Sequence, residues 1–142
     1  MASARDVPHE RSVRAFMTAL DGHDKVVSIA RRPGTYMLDI ALSSGTTLAV
    51  FMTNIYVVGE ADVQEILTEH NDVDCAVTLS AWNMTSGDAV DYGRQREIGV
   101  FKWPEFFGAI NYGKYWLYEE IPLGIDSAKA TAERKRRKRV WN

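Results

Sequence analysis

Six consecutive cations, Arg134-Lys135-Arg136-Arg137-Lys138-Arg139, form the densest chemistry-bearing group in the chain. At this density, guanidinium and ammonium groups neutralise phosphates, and six such contacts make affinity fall steeply with salt. The same run has the chemistry to dock on the protein's own acidic surface, to meet an acidic partner, or to end as a solvated tail. From Lys129 to Arg139 seven basic residues face one acidic residue, Glu133, giving +6. The whole chain carries −2, so the remainder carries −8. An acidic body with a basic tail is the clearest charge signal.

Other reactive side chains lack partners at useful spacing. His9, His23 and His70 fall in a tail, a turn and a helix end, and none pairs with a Cys or another His as zinc ligands do. The single cysteine, Cys75, lies in an apolar run and reads as a buried thiol. Gly87 and Gly93 make no dinucleotide fingerprint, and no phosphate-cradling Gly-x-x-x-x-Gly-Lys loop occurs. Ser80, Asp88 and Asp91 have no nearby His and match no hydrolase elbow. Trp82, Trp103 and Trp116 have the chemistry to stack on bases or line a partner pocket, although aromatics in a domain of this size mostly fill cores.

The elements that must position these groups follow from periodicity. The chain has 142 residues, 46% of them hydrophobic and 25% charged, which fits one soluble domain. No apolar run reaches the roughly 20 residues a membrane-spanning helix needs. The first ten residues lack the apolar core of a secretory signal, and one cysteine makes no internal disulfide, so the expected compartment is cytoplasmic.

Residues 1–9 show no periodicity and are expected to be mobile. From Glu10, the spacing of Val13, Phe16, Met17 and Leu20 predicts an amphipathic helix ended by Asp21-Gly22. Three strands with turns between them follow: Lys25 to Arg31, Thr35 to Leu42 and Thr46 to Thr53. They read as an antiparallel meander. Ile55 to Gly59 either extends the third strand or leads into a helix over Asp62 to His70.

Next come two short apolar runs, around Cys75–Leu79 and Ile98–Phe101, with a helix capped by Thr85 or Ser86 between them. Such runs suit strands that neighbour each other in a parallel sheet. Pro104 marks the first turn of another helix. Residues 113–126 form an aromatic arm, with Tyr115, Trp116 and Tyr118 as its candidate partner-binding residues. Ser127 is placed to cap a basic helix ending near Trp141. The fold class is therefore α/β, with one domain over 1–126 and a basic helix or tail over 127–142.

This order (helix, three-strand meander, helix, strand, helix, strand, helix) resembles the core of the restriction-endonuclease-like superfamily, also called PD-(D/E)XK. Within it, Val77 to Ile110 is most similar to the C-terminal half of an Mrr-type restriction endonuclease domain. The matching residues are Ser80, Trp82, Thr85, Ala89, Tyr92, Ile98, Val100, Phe101, Glu105, Phe106 and Phe107, over about a quarter of the chain.

The resemblance implies a mixed sheet with an N-terminal antiparallel meander and flanking helices. It also implies a Mg²⁺ site, built from an Asp in the second meander strand and a Glu or Gln with a Lys two residues later in the third. Asp39 is the counterpart of that Asp, and Glu10 of a first-helix Glu that some members use. Val50 and Met52 stand about where the acidic residue and the Lys belong, so the motif is degenerate. Asp39 also reads simply as a hydrogen-bonded strand residue.

The expected function is a catalytically degenerate nuclease-fold accessory module, holding nucleic acid through Lys129, Arg134, Lys135, Arg136, Arg137, Lys138 and Arg139. It would need no metal or other cofactor and no membrane. The alternatives are a protein-interaction subunit or homo-oligomer within a larger assembly, and a divergent nuclease that would use Mg²⁺.

Overall fold

Val13, Phe16 and Leu20 recur at helical spacing and are buried along one side of α1 (Glu10–Asp21). They lie against a five-stranded sheet in the computed structural model, which describes residues 6–142. Residues 1–5, most of the segment expected to be mobile, lie outside the described residues. At Asp6 the chain is already tied to the body, its carbonyl accepting from the Asn54 N–H at 2.8 Å.

The meander is β1 (Val26–Arg31), β2 (Met37–Leu42) and β3 (Thr47–Thr53), all paired antiparallel. Gly34 and Gly45 sit in its two connections at φ 71° and 94°, where a side chain would strain the turn. After α2 (Glu60–Glu69), β5 (Cys75–Thr78) adds in parallel beside β3; after α3 (Gly87–Arg94), β7 (Gly99–Lys102) adds in parallel beside β5. The order is β1-β2-β3-β5-β7, a mixed sheet in an α/β fold.

Period-two alternation gives the sheet two apolar faces. Leu38, Ile40, Leu48, Val50, Met52 and Val77 point toward α1 and toward α4 (Trp103–Ala109), where Phe16 meets Trp103 edge-on at 5.2 Å. Met37, Ala49, Phe51 and Ala76 point the other way, against Ile66 of α2 and Val73. Cys75 is fully buried, and burial pushes its thiol pKa up, so it packs as a small apolar residue.

Two local expectations are resolved between their alternatives, and one is corrected. Ile55 to Gly59 leads into the next helix, with Gly59 as the N-cap of α2, but also holds a short strand: Val57–Val58 is β4, paired in parallel with β6 (Met84–Thr85) as a separate two-stranded ribbon. Ser86, rather than Thr85, caps α3 through a 3.1 Å bond from the Ala89 N–H. Asp126, rather than Ser127, caps α5 (Ser127–Trp141), accepting from the Lys129 N–H at 2.9 Å.

Candidate nucleic-acid interface

The α5 sequence is rich in Ala, Lys, Arg and Glu, which lose little side-chain freedom in a helix. Its attachment is narrow. Ala130, Arg137 and Trp141 lie on one face and are buried against the segment after α4. Trp141 meets the Tyr112 ring edge-on at 5.3 Å, and its carbonyl accepts from the Lys114 N–H.

Arg137 stands apart from the other cations expected to meet nucleic acid. It is only 5% exposed, donates to the main-chain carbonyl of Glu119 and bonds Glu133 at 3.0 Å. Arg136 is spent nearby, its guanidinium holding Glu133 at 2.6 Å. Bonds from Arg136 and Arg137 lower the Glu133 carboxyl pKa to about 2.

The other five expected cations behave differently. Lys129, Arg134, Lys135, Lys138 and Arg139 are exposed and make no ion pair among the described residues. Arg134 with Lys138, and Lys135 with Arg139, are i, i+4 pairs in adjacent rows on one flank of the helix. The result is a cationic stripe along the exposed side of a helix.

The three aromatics expected to meet a partner face the body instead. Tyr115 is buried in the main core cluster, and Trp116 and Tyr118 are half-buried against it. Burial pushes the Tyr118 pKa up to about 12. Within the arm the exposed apolar residues are Leu123 and Ile125, and a further exposed apolar group lies on the β4–β6 ribbon and its flanks, where Trp82 is 80%, Tyr56 65% and Met84 53% exposed. Beneath the ribbon, Asn54 Oδ1 accepts from both Ser80 Oγ and Asn83 Nδ2, and Asn83 also donates to Thr78 Oγ1 at 2.8 Å. Sequence reading missed this ribbon because neither two-residue strand has periodicity of its own.

Glu10 and Asp39 are not brought together. Asp39 alternates with Leu38 and Ile40 and so lies on the α2 side of the sheet, whereas Glu10 opens α1 on the other side. Each is held by its own arginine. Arg31 grips Glu10 with bonds of 2.8 and 3.1 Å. Arg32 grips Asp39 at 2.8 and 2.9 Å and reaches Asp72 at 2.7 Å. These arginines hold the Glu10, Asp39 and Asp72 carboxyls below the usual carboxylate range.

Strand register also corrects the positions facing Asp39. It lies opposite Ala49, so Ala49 and Phe51 share its face, whereas Val50 and Met52 point into the opposite core. Neither pair supplies a carboxylate or an amine. Among the described residues, no group of three His, Cys, Asp or Glu side chains is arranged to hold a metal ion. Nor does any helix among them have the length and apolarity to cross a membrane. Compared with known proteins, the chain matches no family model, no curated protein and no solved structure.

Proposed function

We propose that this protein is a nuclease-fold accessory module without the family's catalytic set, binding nucleic acid through the outer flank of α5. The observation that carries the reading is the split in the basic helix. Arg137 is used for docking and Arg136 for a bond within the helix, leaving Arg134, Lys135, Lys138 and Arg139 outward. The succession of meander, α2, β5, α3, β7 and α4 supports the endonuclease-like resemblance. Ala49 and Phe51 beside Asp39 favour binding over cleavage, since the two-carboxylate and lysine chemistry has no side chains to perform it.

The test is binding of labelled duplex and single-stranded oligonucleotides to the full chain across a salt series. Four phosphate contacts give a log–log slope of about −3.6 on duplex, or on the order of a hundredfold loss of affinity between 50 and 200 mM salt. Lys135→Glu with Arg139→Glu should abolish most of that binding without touching the docking face. Absence of binding at low salt, or binding indifferent to both substitutions, sinks the proposal.

The β4–β6 ribbon favours a second reading, a protein-interaction subunit. Tyr56, Val57, Trp82 and Met84 are all exposed apolar side chains of one ribbon and its flanks, more apolar surface than isolated residues give. Self-association is its simplest form. Sedimentation of the wild type and of Trp82→Ser over a range of concentrations tests that form, which requires a dimer that the substitution weakens.

A further inference from the structure

Two hollows flank the C-terminal end of α5, and they share Lys25, Asn111, Tyr112 and Asn142 in their walls. The smaller, about 360 Å³, has an apolar floor of Leu42, Leu48, Ile110 and Tyr115 under a rim of Ser and Thr hydroxyls from the β2–β3 turn. The larger, about 700 Å³, is bounded by Arg134, Arg137, Lys138, Tyr118 and Glu120. Together they make one groove, apolar at one end and cationic at the other.

The charges in the cationic end are specific. Arg137 is already matched by Glu133 and by the Glu119 carbonyl. Lys25, Arg134 and Lys138 make no ion pair among the described residues and face a single carboxylate, Glu120. Basic side chains therefore outnumber acidic ones in this wall, which suits a phosphate monoester, an anion at neutral pH. The backbone at Lys25 is also fixed. Its N–H donates to His23 Nδ1 at 3.0 Å, so His23 is the tautomer whose Nε2–H donates to the Phe107 carbonyl, also at 3.0 Å.

We infer that this groove binds a nucleoside 5′-phosphate unit. The phosphate would lie among Lys25, Arg134 and Lys138, and the base and sugar over Tyr112 toward the apolar floor. The same unit occurs as a free nucleotide and as the 5′-phosphorylated end of a strand. The strand form deepens the nucleic-acid reading above, because Lys135 and Arg139 on the adjoining row would follow the strand beyond its end. The free-nucleotide form stands without that reading.

Titration calorimetry on the full chain separates the outcomes. The probes are adenosine 5′-monophosphate, adenosine, and a single-stranded dodecanucleotide with and without its 5′-phosphate. Strand-end recognition is expected to give about tenfold tighter binding of the phosphorylated dodecanucleotide, a preference erased by Lys25→Gln or Lys138→Gln. Binding of the mononucleotide but not adenosine, with the same loss in both variants, supports the free-nucleotide form. A preference indifferent to Lys25→Gln, or no effect of the phosphate on any probe, overturns the inference. Lys135→Glu with Arg139→Glu leaves these three groove cations in place, so failure of general strand binding is distinguishable from failure of the groove.

Discussion

The guanidinium carbon of Arg137 lies 4.7 Å from the ring centroid of Trp141, one helical turn away, and both side chains are buried. This stacked pair is the clasp that fixes the basic helix to the body. The cation satisfies the Glu119 carbonyl, while the indole fills the space beside Tyr112 and Tyr118.

Breaking the clasp is expected to release α5. Trp141→Ala removes a buried indole and should cost about 3 kcal/mol of docking free energy. Arg137→Met keeps most of the side-chain volume but strips the Glu119 carbonyl of its donor and Glu133 of one of its two arginines, at a cost of about 1–3 kcal/mol. Limited trypsin digestion checks both, because release exposes the cluster of cleavage sites between Arg134 and Arg139. An unchanged digestion rate would show that the clasp does not hold the helix.

The end of the chain should also respond to acid, through the arginine bonds that Glu133 accepts within its own helix. Bonds from Arg136 and Arg137 hold the folded Glu133 carboxyl pKa down to about 2, against about 4.3 in an unfolded chain. A carboxyl whose folded pKa is depressed contributes stability that is complete above the unfolded value and is lost as pH falls toward the folded one. Fraying of the helix around Glu133 should therefore begin below about pH 4.3 and continue toward pH 2. Following the Trp141 environment by fluorescence in a variant with the other three tryptophans replaced by phenylalanine measures it. In Glu133→Gln this part of the acid transition should vanish.

The sheet was largely legible in the sequence because its strands carry local signals. Leu38, Ile40 and Leu42 alternate with Asp39 and Ala41, and Cys75 to Leu79 is a short apolar run, so pattern alone placed β2 and β5. The β4–β6 ribbon was not legible, because Val57 and Met84 meet only through long-range pairing. The candidate site was half legible. Charge density marked α5, but Arg137 looks identical to its neighbours in sequence, and only the turn of the helix separates clasp from stripe. Lys25 gave no signal, since only the fold brings it to the same hollow as Arg134 and Lys138.

Asp39 should act as a structural residue. Its carboxylate is gripped at both oxygens by Arg32, which also ties down Asp72 at the end of the α2 connection. Both ion pairs are partly exposed, so Asp39→Asn is expected to cost only about 0.5–1 kcal/mol. Millimolar Mg²⁺ should shift the melting temperature of neither protein. A Mg²⁺-dependent rise in the wild type that Asp39→Asn abolishes would instead make Asp39 a ligand and revive the nuclease alternative.

Two glycines of α3 give opposite expectations. A Cβ at Gly93 would stand 2.5 Å from the Ile98 carbonyl oxygen and 3.0 Å from Val100 Cγ2, in the seam where α3 rests on β7. The obstructing carbonyl is backbone, and the Gly93 carbonyl itself accepts from the Ile98 N–H at 2.8 Å, so neither side yields easily. Gly93→Ala should destabilise the fold by about 1–3 kcal/mol. At Gly87, in the first turn, a Cβ would meet nothing within 4 Å. Gly87→Ala should stabilise by about 0.4–1 kcal/mol, chiefly by restricting the unfolded chain. Urea melts of the two single variants decide the matter. Equal effects would mean that the seam between α3 and β7 is looser than its geometry demands.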